Sequence, residues 1–288
     1  MSRPGKVRCG HWSRRRSGPP SASRLRGAAL ALSQLAASSA DAERPSSVDG
    51  STPLHLAAGR GHLGLVKALL ADPACDPNTR RSDGVTPLYL AAQNGHEAAV
   101  GSLLASPRTL PNQPAFDGAS PLYVAAQFGH GRIVRQLLAH PDIDANACRP
   151  DGVTPLLIAS AKGYLGIVRA LTEVAALNPN QCSRDGVCAL FIAAQNNHAR
   201  VVRALLLRTD TDPNLQRPNG ATALHAAAKY GHAEVVREIL SNSRANPRLQ
   251  DSGGLTAYDH ALRREHLHVV NQLQPLLAAN ACAKGPLH

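Results

Sequence analysis

A seven-residue string recurs along most of this chain at a constant interval of 34 residues, and no other feature constrains the fold as much. The copies read TPLHLAA from Thr52, TPLYLAA from Thr86, SPLYVAA from Ser120, TPLLIAS from Thr154, CALFIAA from Cys188, TALHAAA from Thr222 and TAYDHAL from Thr256. Repetition at a fixed period of this length indicates an array of identical supersecondary units. We therefore expect seven units, at 49–82, 83–116, 117–150, 151–184, 185–218, 219–252 and 253–286.

Each unit predicts two short helices joined by a tight turn. A turn such as Asp83-Gly84 precedes a Thr or Ser that can cap the first helix, and Pro follows in four units. A glycine such as Gly95 then supplies the left-handed conformation that closes a helix. The second helix carries apolar residues at helical spacing, as at Val100 and Leu103. One unit alone leaves its apolar face exposed, so we expect the units to stack into an elongated solenoid.

The string TPLHLAA, followed by Gly-His and a helix of the VVxxLL type, resembles the ankyrin repeat. The resemblance covers about 49–286 and departs from the family in one way, because the usual period is 33 residues. It implies an all-α solenoid of stacked helix-turn-helix repeats with β-turn or hairpin loops. It also implies a protein without catalytic residues that binds partner proteins on a concave surface.

In the family, the variable surface positions include the two residues that follow each Ala-Ala pair of the first helix. Here these positions hold Gly59 and Arg60, Gln93 and Asn94, Gln127 and Phe128, Ala161 and Lys162, Gln195 and Asn196, Lys229 and Tyr230, and Arg263 and Arg264. We call these residues, without Gly59 and Ala161, the groove row. The row has no acid, five cations and two aromatic rings, which favours an acidic or mixed acidic-apolar partner segment. The alternative is that solvated polar residues merely cover this face.

The turns add less charge than their arginines suggest. Arg81 and Arg149 lie near Asp83 and Asp151 in the sequence, and Arg217 lies near Asn219. We therefore expect much of the charge at the turns to cancel.

The excess positive charge sits mainly at the N-terminus. Residues 1–44 hold nine Lys or Arg and two acids, a net charge of +7, whereas 45–288 hold 22 basic and 18 acidic residues, a net +4. Residues 1–26 have eight basic residues and no acid, a composition typical of disorder and also of organelle transit peptides. Residues 27–48 can instead form a capping half-repeat, since Gly27 and Leu32 match Gly61 and Val66 after a shift of 34.

Thirteen histidines and six cysteines suggest metal or redox chemistry, but their spacing does not. Most of the histidines recur at equivalent repeat positions, one layer apart and too distant to share a metal, so we expect hydrogen bonds at helix starts or turns. Cys148 and Cys182 are also one layer apart, which favours free thiols and a reducing compartment. No phosphate-binding loop, nucleophile elbow or metalloprotease motif occurs. We expect no catalytic residue, cofactor or metal.

Two places depart from the repeat pattern. In repeat five, Cys188 replaces the capping Thr and Asn197 replaces the closing Gly, so we expect the junction of repeats four and five to open first. In repeat seven, Glu265 replaces the same Gly, and Pro275 predicts the end of the second helix.

The sequence favours a monomeric interaction scaffold or adaptor, with the cytoplasm as the expected compartment. The alternative is an adaptor associated with nucleic acid or an organelle through 1–26, or a nuclear protein. The mild charge of the repeats makes nucleic-acid binding by the repeats themselves the weaker hypothesis. No apolar run is long enough to predict a membrane span.

Overall fold

A computed structural model describes residues 49–278, which form 14 helices and no β-strand within that range. The first helices of the repeats are α1 (Pro53–Gly59), α3 (Pro87–Gln93), α5 (Pro121–Gln127), α7 (Pro155–Lys162), α9 (Ala189–Gln195), α11 (Ala223–Lys229) and α13 (Ala257–Arg263). The second helices are α2 (Leu63–Leu70), α4 (Glu97–Leu104), α6 (Gly131–Leu138), α8 (Leu165–Thr172), α10 (Ala199–Leu206), α12 (Ala233–Leu240) and α14 (Leu267–Ala278). The predicted all-α array of helix-turn-helix units is confirmed. The predicted basic tail at 1–26 and the predicted capping half-repeat at 27–48 lie outside the described residues.

The helices stack in two layers. Each first helix packs against the first helix of the next repeat, and each second helix packs against the next second helix. The apolar positions at helical spacing face the space between the layers, where Val100, Leu103, Val134 and Leu137 are fully buried. Each repeat therefore covers the apolar side of its neighbour, as expected for a solenoid.

The predicted helix caps are confirmed. Thr86 has extended backbone angles and its hydroxyl accepts the amide of Tyr89 at 3.2 Å, which satisfies a free donor of the first turn. The sulfur of Cys188 stands in for this hydroxyl and accepts the Phe191 amide at 3.5 Å, a longer contact with a weaker acceptor. Repeat five thus keeps its cap in a weaker form.

The closing residue of each first helix adopts the left-handed conformation that the sequence predicts. Gly95 has a φ of 80°, and Asn197 and Glu265 reach 62° and 58° at the equivalent positions. They are the non-glycine residues with positive φ within 49–278. Asn tolerates this conformation because its short side chain can bond locally, but Glu265 is strained there.

An asparagine ladder joins the loops that follow the second helices. Asn146 donates its amide to the Ala176 carbonyl at 2.8 Å, and its side-chain oxygen accepts the Asn178 amide at 2.7 Å. Asn78, Asn112, Asn180 and Asn214 make the same pair of bonds at 34-residue intervals. The ladder fixes the distance between successive loops along the array.

Arg208 contributes to the junction where repeat five meets repeat four. Its guanidinium donates to the carbonyls of Thr172 at 2.6 Å and Val174 at 3.0 Å, both in repeat four. That clamp offsets the weaker Cys188 cap at the same junction. Early opening of this junction stays a prediction.

The expected end of the last helix at Pro275 is wrong. The helix α14 continues through Pro275 to Ala278. Proline removes the bond to the carbonyl four residues earlier, at Asn271. Both Asn271 and Pro275 are exposed, so water can satisfy that carbonyl on the outer side of the terminal repeat.

Candidate functional site

The groove row lies along one edge of the first-helix layer. Every member is the last residue of a first helix or the residue that follows it. Because the first helices pack side by side, these ends align from repeat to repeat. Nine of the twelve side chains are exposed, and Gln93, Gln127 and Gln195 are half-buried. The row is therefore a continuous accessible strip.

Histidines of the next repeat secure the helix ends that carry this row. His96 Nε2 donates to the Gly59 carbonyl at 2.9 Å, and His130 Nε2 donates to the Gln93 carbonyl at 2.9 Å. The imidazoles of His198, His232 and His266 make the same bond to the preceding repeat. His96, His130, His198 and His232 make no side-chain bond at the start of their own helices. The expected structural hydrogen bonds are present, but each of them reaches the end of the first helix in the preceding repeat.

Two helix ends of the row carry exposed aromatic rings. Phe128 stacks on His130 with ring centroids 6.4 Å apart, and Tyr230 stacks on His232 at 6.0 Å. Each ring is about half exposed, at 50% and 49%. The Lys229 ammonium lies 5.9 Å from the Tyr230 ring centroid. The row thus offers apolar surface beside positive charge, held in place by histidines that already form hydrogen bonds.

Two amides of the row serve the fold as well. The Asn94 side chain donates to the Gly59 carbonyl at 2.8 Å, and the Asn196 side chain donates to the Ala161 carbonyl at 2.9 Å. Their side-chain oxygens point away from these bonds, and both residues are exposed. The cations and rings are therefore the stronger candidates for contacts with a partner.

A small cleft of about 110 Å³ opens beside the row at repeats five to seven. Its wall includes Arg217, whose guanidinium lies 4.9 Å from the centroid of the Phe191 ring. Arg217 donates its Nε–H to the Asp185 carbonyl at 3.2 Å and forms no ion pair within residues 49–278. Lys229 and Tyr230 line the same cleft, so the row and the cleft form one surface.

The turn arginines differ in their partners. Arg81 pairs with Asp83 at 3.2 Å, and Arg149 pairs with Asp151 at 3.8 Å, which confirms the expected cancellation for these two. Arg217 has Asn219 at the equivalent place and keeps its charge. Arg217 therefore lacks the carboxylate partner that Arg81 and Arg149 have.

The acid in the cleft is held by an internal partner. Asp251 bonds to His260 Nε2 at 2.7 Å, and both side chains are largely buried. Burial favours the neutral acid, but the bond from His260 and the Leu255 and Gly253 amides outweigh it and keep the pKa of Asp251 below its usual range. Asp251 therefore remains an anion, and its carboxylate is already hydrogen-bonded within the protein.

Two other histidines close capping boxes inside the array. His55 Nδ1 accepts the Thr52 amide at 3.1 Å, and His55 Nε2 donates to the Val85 carbonyl of the next repeat at 3.0 Å. His225 repeats this arrangement with Thr222 and Leu255. For this pair the expected helix-start bond is confirmed. The arrangement uses the neutral imidazole, and burial lowers the pKa of both residues.

These two histidines predict that stability falls in mild acid. In the unfolded chain they take up protons near their ordinary pKa of about 6.5, whereas the folded chain resists protonation until a lower pH. Their contribution is therefore fully present above about pH 6.5 and is lost as the pH falls through the folded values. The melting temperature of a His55→Tyr, His225→Phe variant should depend less on pH between 7.5 and 5.5 than that of the parent. These replacements are the residues that repeats two and five use at the same position. If the variant and the parent show the same pH dependence of the melting temperature, the buried imidazoles do not cause the loss of stability in acid.

The second-helix layer carries a cation row that the sequence analysis did not identify. Lys67, Arg135, Arg169, Arg203 and Arg237 share one position of the second helix, and all are exposed. One member of this row forms an ion pair, because Glu238 lies 3.9 Å from Arg203. The spacing of 34 residues was the signal that could have revealed it.

Between residues 49 and 278, no three His, Cys, Asp or Glu side chains lie close enough together to hold a metal ion. The described helices include none with the length and apolar character to cross a membrane. Cys148 and Cys182 are free thiols, as expected.

The structure resembles solved ankyrin repeat proteins. The ankyrin repeat domain of Bcl-3, described as a unique member of the IkappaB protein family, is 25% identical with a TM-score of 0.69, covering 77% of this chain and 99% of that one. The ankyrin repeat protein EF0377 is 26% identical with a TM-score of 0.61, covering 65% and 96%. The human ASB11 ankyrin repeat domain is 23% identical, with a TM-score of 0.64 and coverage of 83% and 100%, and supports the fold alone.

Comparison with families gives the same result. No curated protein matches the chain in sequence. A family model described as ankyrin repeats (3 copies) matches residues 22–113, 102–181, 122–217 and 190–283, which together span most of the chain. The chain therefore belongs to the ankyrin repeat family.

Proposed function

We propose that this protein is a non-catalytic interaction scaffold that binds an acidic or mixed acidic-apolar segment of a partner protein along the groove row. Ankyrin repeat proteins generally mediate protein-protein interactions, and the fold is typically non-catalytic. We further propose that the protein acts as a monomer in the cytoplasm. The alternative role through the basic residues 1–26 falls outside the described residues and stays a prediction.

The proposal rests on the exposed, unpaired cations of the groove row. None of its five cations (Arg60, Lys162, Lys229, Arg263 and Arg264) forms an ion pair within residues 49–278, and all are exposed. In the second-helix row, Arg203 pairs with Glu238 at 3.9 Å, and its other members form no ion pair within residues 49–278. The groove row differs because it also carries the exposed rings of Phe128 and Tyr230. Unpaired charge of one sign along an accessible strip attracts segments of the opposite sign.

The spacing of the cations suggests the pattern of the partner. Lys162 and Lys229 lie two repeats apart, which corresponds to roughly 20 Å for layers about 10 Å apart. An extended peptide covers this distance in about six residues. The exposed ring of Tyr230 beside Lys229 favours an apolar residue next to one of the acids. Because the repeat array is rigid, it loses little conformational entropy when the peptide binds.

The test reverses two charges of the row. A Lys162→Glu, Lys229→Glu variant should bind a fluorescent pool of short peptides, built from Asp, Glu, Leu and Phe, about tenfold more weakly than the parent. This estimate corresponds to a loss of about 1.4 kcal/mol, since each surface pair contributes up to about 1 kcal/mol and reversal adds repulsion. Fluorescence anisotropy at low and physiological salt measures the change.

The chain offers a matched control on the opposite face. Arg169→Glu, Arg237→Glu makes the same change in net charge in the same two repeats, but in the second-helix layer. This variant should keep most of the parental affinity. Equal losses in both variants would indicate attraction by net charge alone, and unchanged affinity in the Lys variant would remove the groove row as the binding site.

A further inference from the structure

The turn that joins repeat four to repeat five has a pair of cysteines at its base. Cys188 stands at the helix cap of repeat five, where the other six repeats have Thr or Ser, and Cys182 precedes it by six residues in repeat four. Cys148 is equivalent to Cys182 one repeat earlier, but Thr154 stands at the cap that follows it. Among the turns that lead into the seven repeats, this turn alone has a cysteine at both positions.

The turn between the two cysteines is a tight hairpin. The Ser183 amide donates to the Val187 carbonyl at 2.9 Å, and the Gly186 amide donates to the Ser183 carbonyl at 2.9 Å. With Ser183 opposite Val187, the next residues outward, Cys182 and Cys188, also face each other. Opposed residues of such a non-hydrogen-bonded pair have Cα atoms about 4.5 Å apart. That separation lies within the range that a disulfide spans.

The Cys182 thiol donates to the Asn180 carbonyl at 3.3 Å, on the arm of the hairpin that faces Cys188. The neighbouring Cys188 thiol lowers the pKa of the Cys182 thiol to about 7, and the Cys182 thiol together with burial raises the pKa of the Cys188 thiol. Cys182 is half-buried, whereas Cys188 is 4% exposed. Cys182 is therefore the accessible thiolate that attacks first, and Cys188 is the resolving thiol beside it.

We propose that Cys182 and Cys188 form a dithiol modification site, which low-molecular-weight disulfides such as glutathione disulfide oxidise to an intramolecular disulfide. The Cys182 thiolate attacks one sulfur of glutathione disulfide, forms a mixed disulfide and releases one glutathione thiolate. Cys188 then attacks the Cys182 sulfur, and its proton passes to the second departing glutathione. Two protein thiols are oxidised, and one glutathione disulfide is reduced to two glutathione thiols.

The disulfide acts at the start of helix α9. The Cys188 sulfur accepts the Phe191 amide, so the bond ties the helix cap to the opposite arm of the hairpin. Without the disulfide, the Cys188 cap of repeat five is weaker than the hydroxyl caps of the other repeats. Oxidation should therefore slow amide exchange in the segment 185–195, and reduction should restore it.

Peptide mapping tests the proposal directly. The reduced full-length chain is incubated with glutathione disulfide, alkylated and digested with trypsin. Trypsin cleaves after Arg184, between the two cysteines, so the disulfide links fragment 170–184 to fragment 185–200. The expected product is this linked pair, lighter by two hydrogen atoms than the two reduced fragments together and separated by dithiothreitol.

Two variants sharpen the result. Cys188→Thr restores the cap residue of the neighbouring repeats, so it should fold normally, give no linked pair and accumulate glutathione on Cys182. Cys148→Ser should form the linked pair as the parent does. Stable glutathione on Cys182 in the parent, a link between Cys182 and any other cysteine, or no modification of Cys182 while Cys148 reacts would each overturn the proposal.

Discussion

Leu137→Ala is expected to lower the free energy of unfolding by about 3 kcal/mol. Leu137 is 0% exposed and lies on α6 in repeat three, so repeats on both sides share its burial. Truncation leaves a cavity at the contact between the two helix layers. The array then loses the apolar burial of the side chain and part of the stabilising contact between neighbouring repeats. Urea unfolding followed by helical circular dichroism measures the loss.

Leu207→Ala is the matched control for this prediction. Leu207 follows α10 and is 78% exposed, so the same truncation should change stability by less than about 0.5 kcal/mol. Similar losses in both variants would mean that the stacked layers are not the source of stability.

Gly118→Ala is expected to cost about 3 kcal/mol. Gly118 has a φ of 81°, and an added Cβ would lie 2.2 Å from Cδ of Pro150 in the hairpin of the next repeat. The left-handed conformation alone costs an alanine about 1 to 2 kcal/mol, and the collision with a rigid ring adds a term of similar size. The loss measures how closely successive hairpins stack.

Gly254→Ala separates these two contributions. Gly254 has a φ of 72° but no atom within 4 Å of the added Cβ. This variant should lose about 1 kcal/mol, which corresponds to the backbone contribution alone. Thermal melts of both variants give the difference, and equal losses would contradict the close approach of Pro150 to the preceding hairpin.

The elements of each repeat follow from local chemistry, which explains why they could be predicted. Thr86 caps a helix through a bond to Tyr89, three residues away, and Gly95 closes it through its own backbone freedom. Neither needs information from another repeat. The two-layer stack then follows from the spacing of Val100 and Leu103, because apolar residues at that spacing share one helix face.

Contacts between repeats were harder to predict. The bond from His96 reaches the Gly59 carbonyl 37 residues earlier, and nothing in a single repeat identifies that carbonyl as the acceptor. The Asn146 bridge to Ala176 depends in the same way on the separation of neighbouring loops. The continuation of α14 past Pro275 depends on solvent at the end of the array, which the local rule for proline does not include.

The same distinction between local features and contacts between repeats applies to the candidate site. The groove row could be read from the sequence, because each member occupies a fixed position after the Ala-Ala pair. The cleft could not, since it requires Arg217, Lys229 and His260 from successive repeats to meet in space. Arg217 also lacks an ion-pair partner within residues 49–278, because Asn219 replaces the acid that pairs with Arg149.

Site-specific photo-cross-linking tests the central claim, that the groove row binds the partner segment, most directly. A photoreactive phenylalanine analogue replaces Tyr230 in one variant and Leu207 in another, and each is irradiated with the fluorescent acidic-apolar peptide pool. The account predicts labelled adducts from position 230, suppressed in the Lys162→Glu, Lys229→Glu background, and none above background from position 207. Adducts from position 207 alone, or equal labelling from both positions, would contradict it.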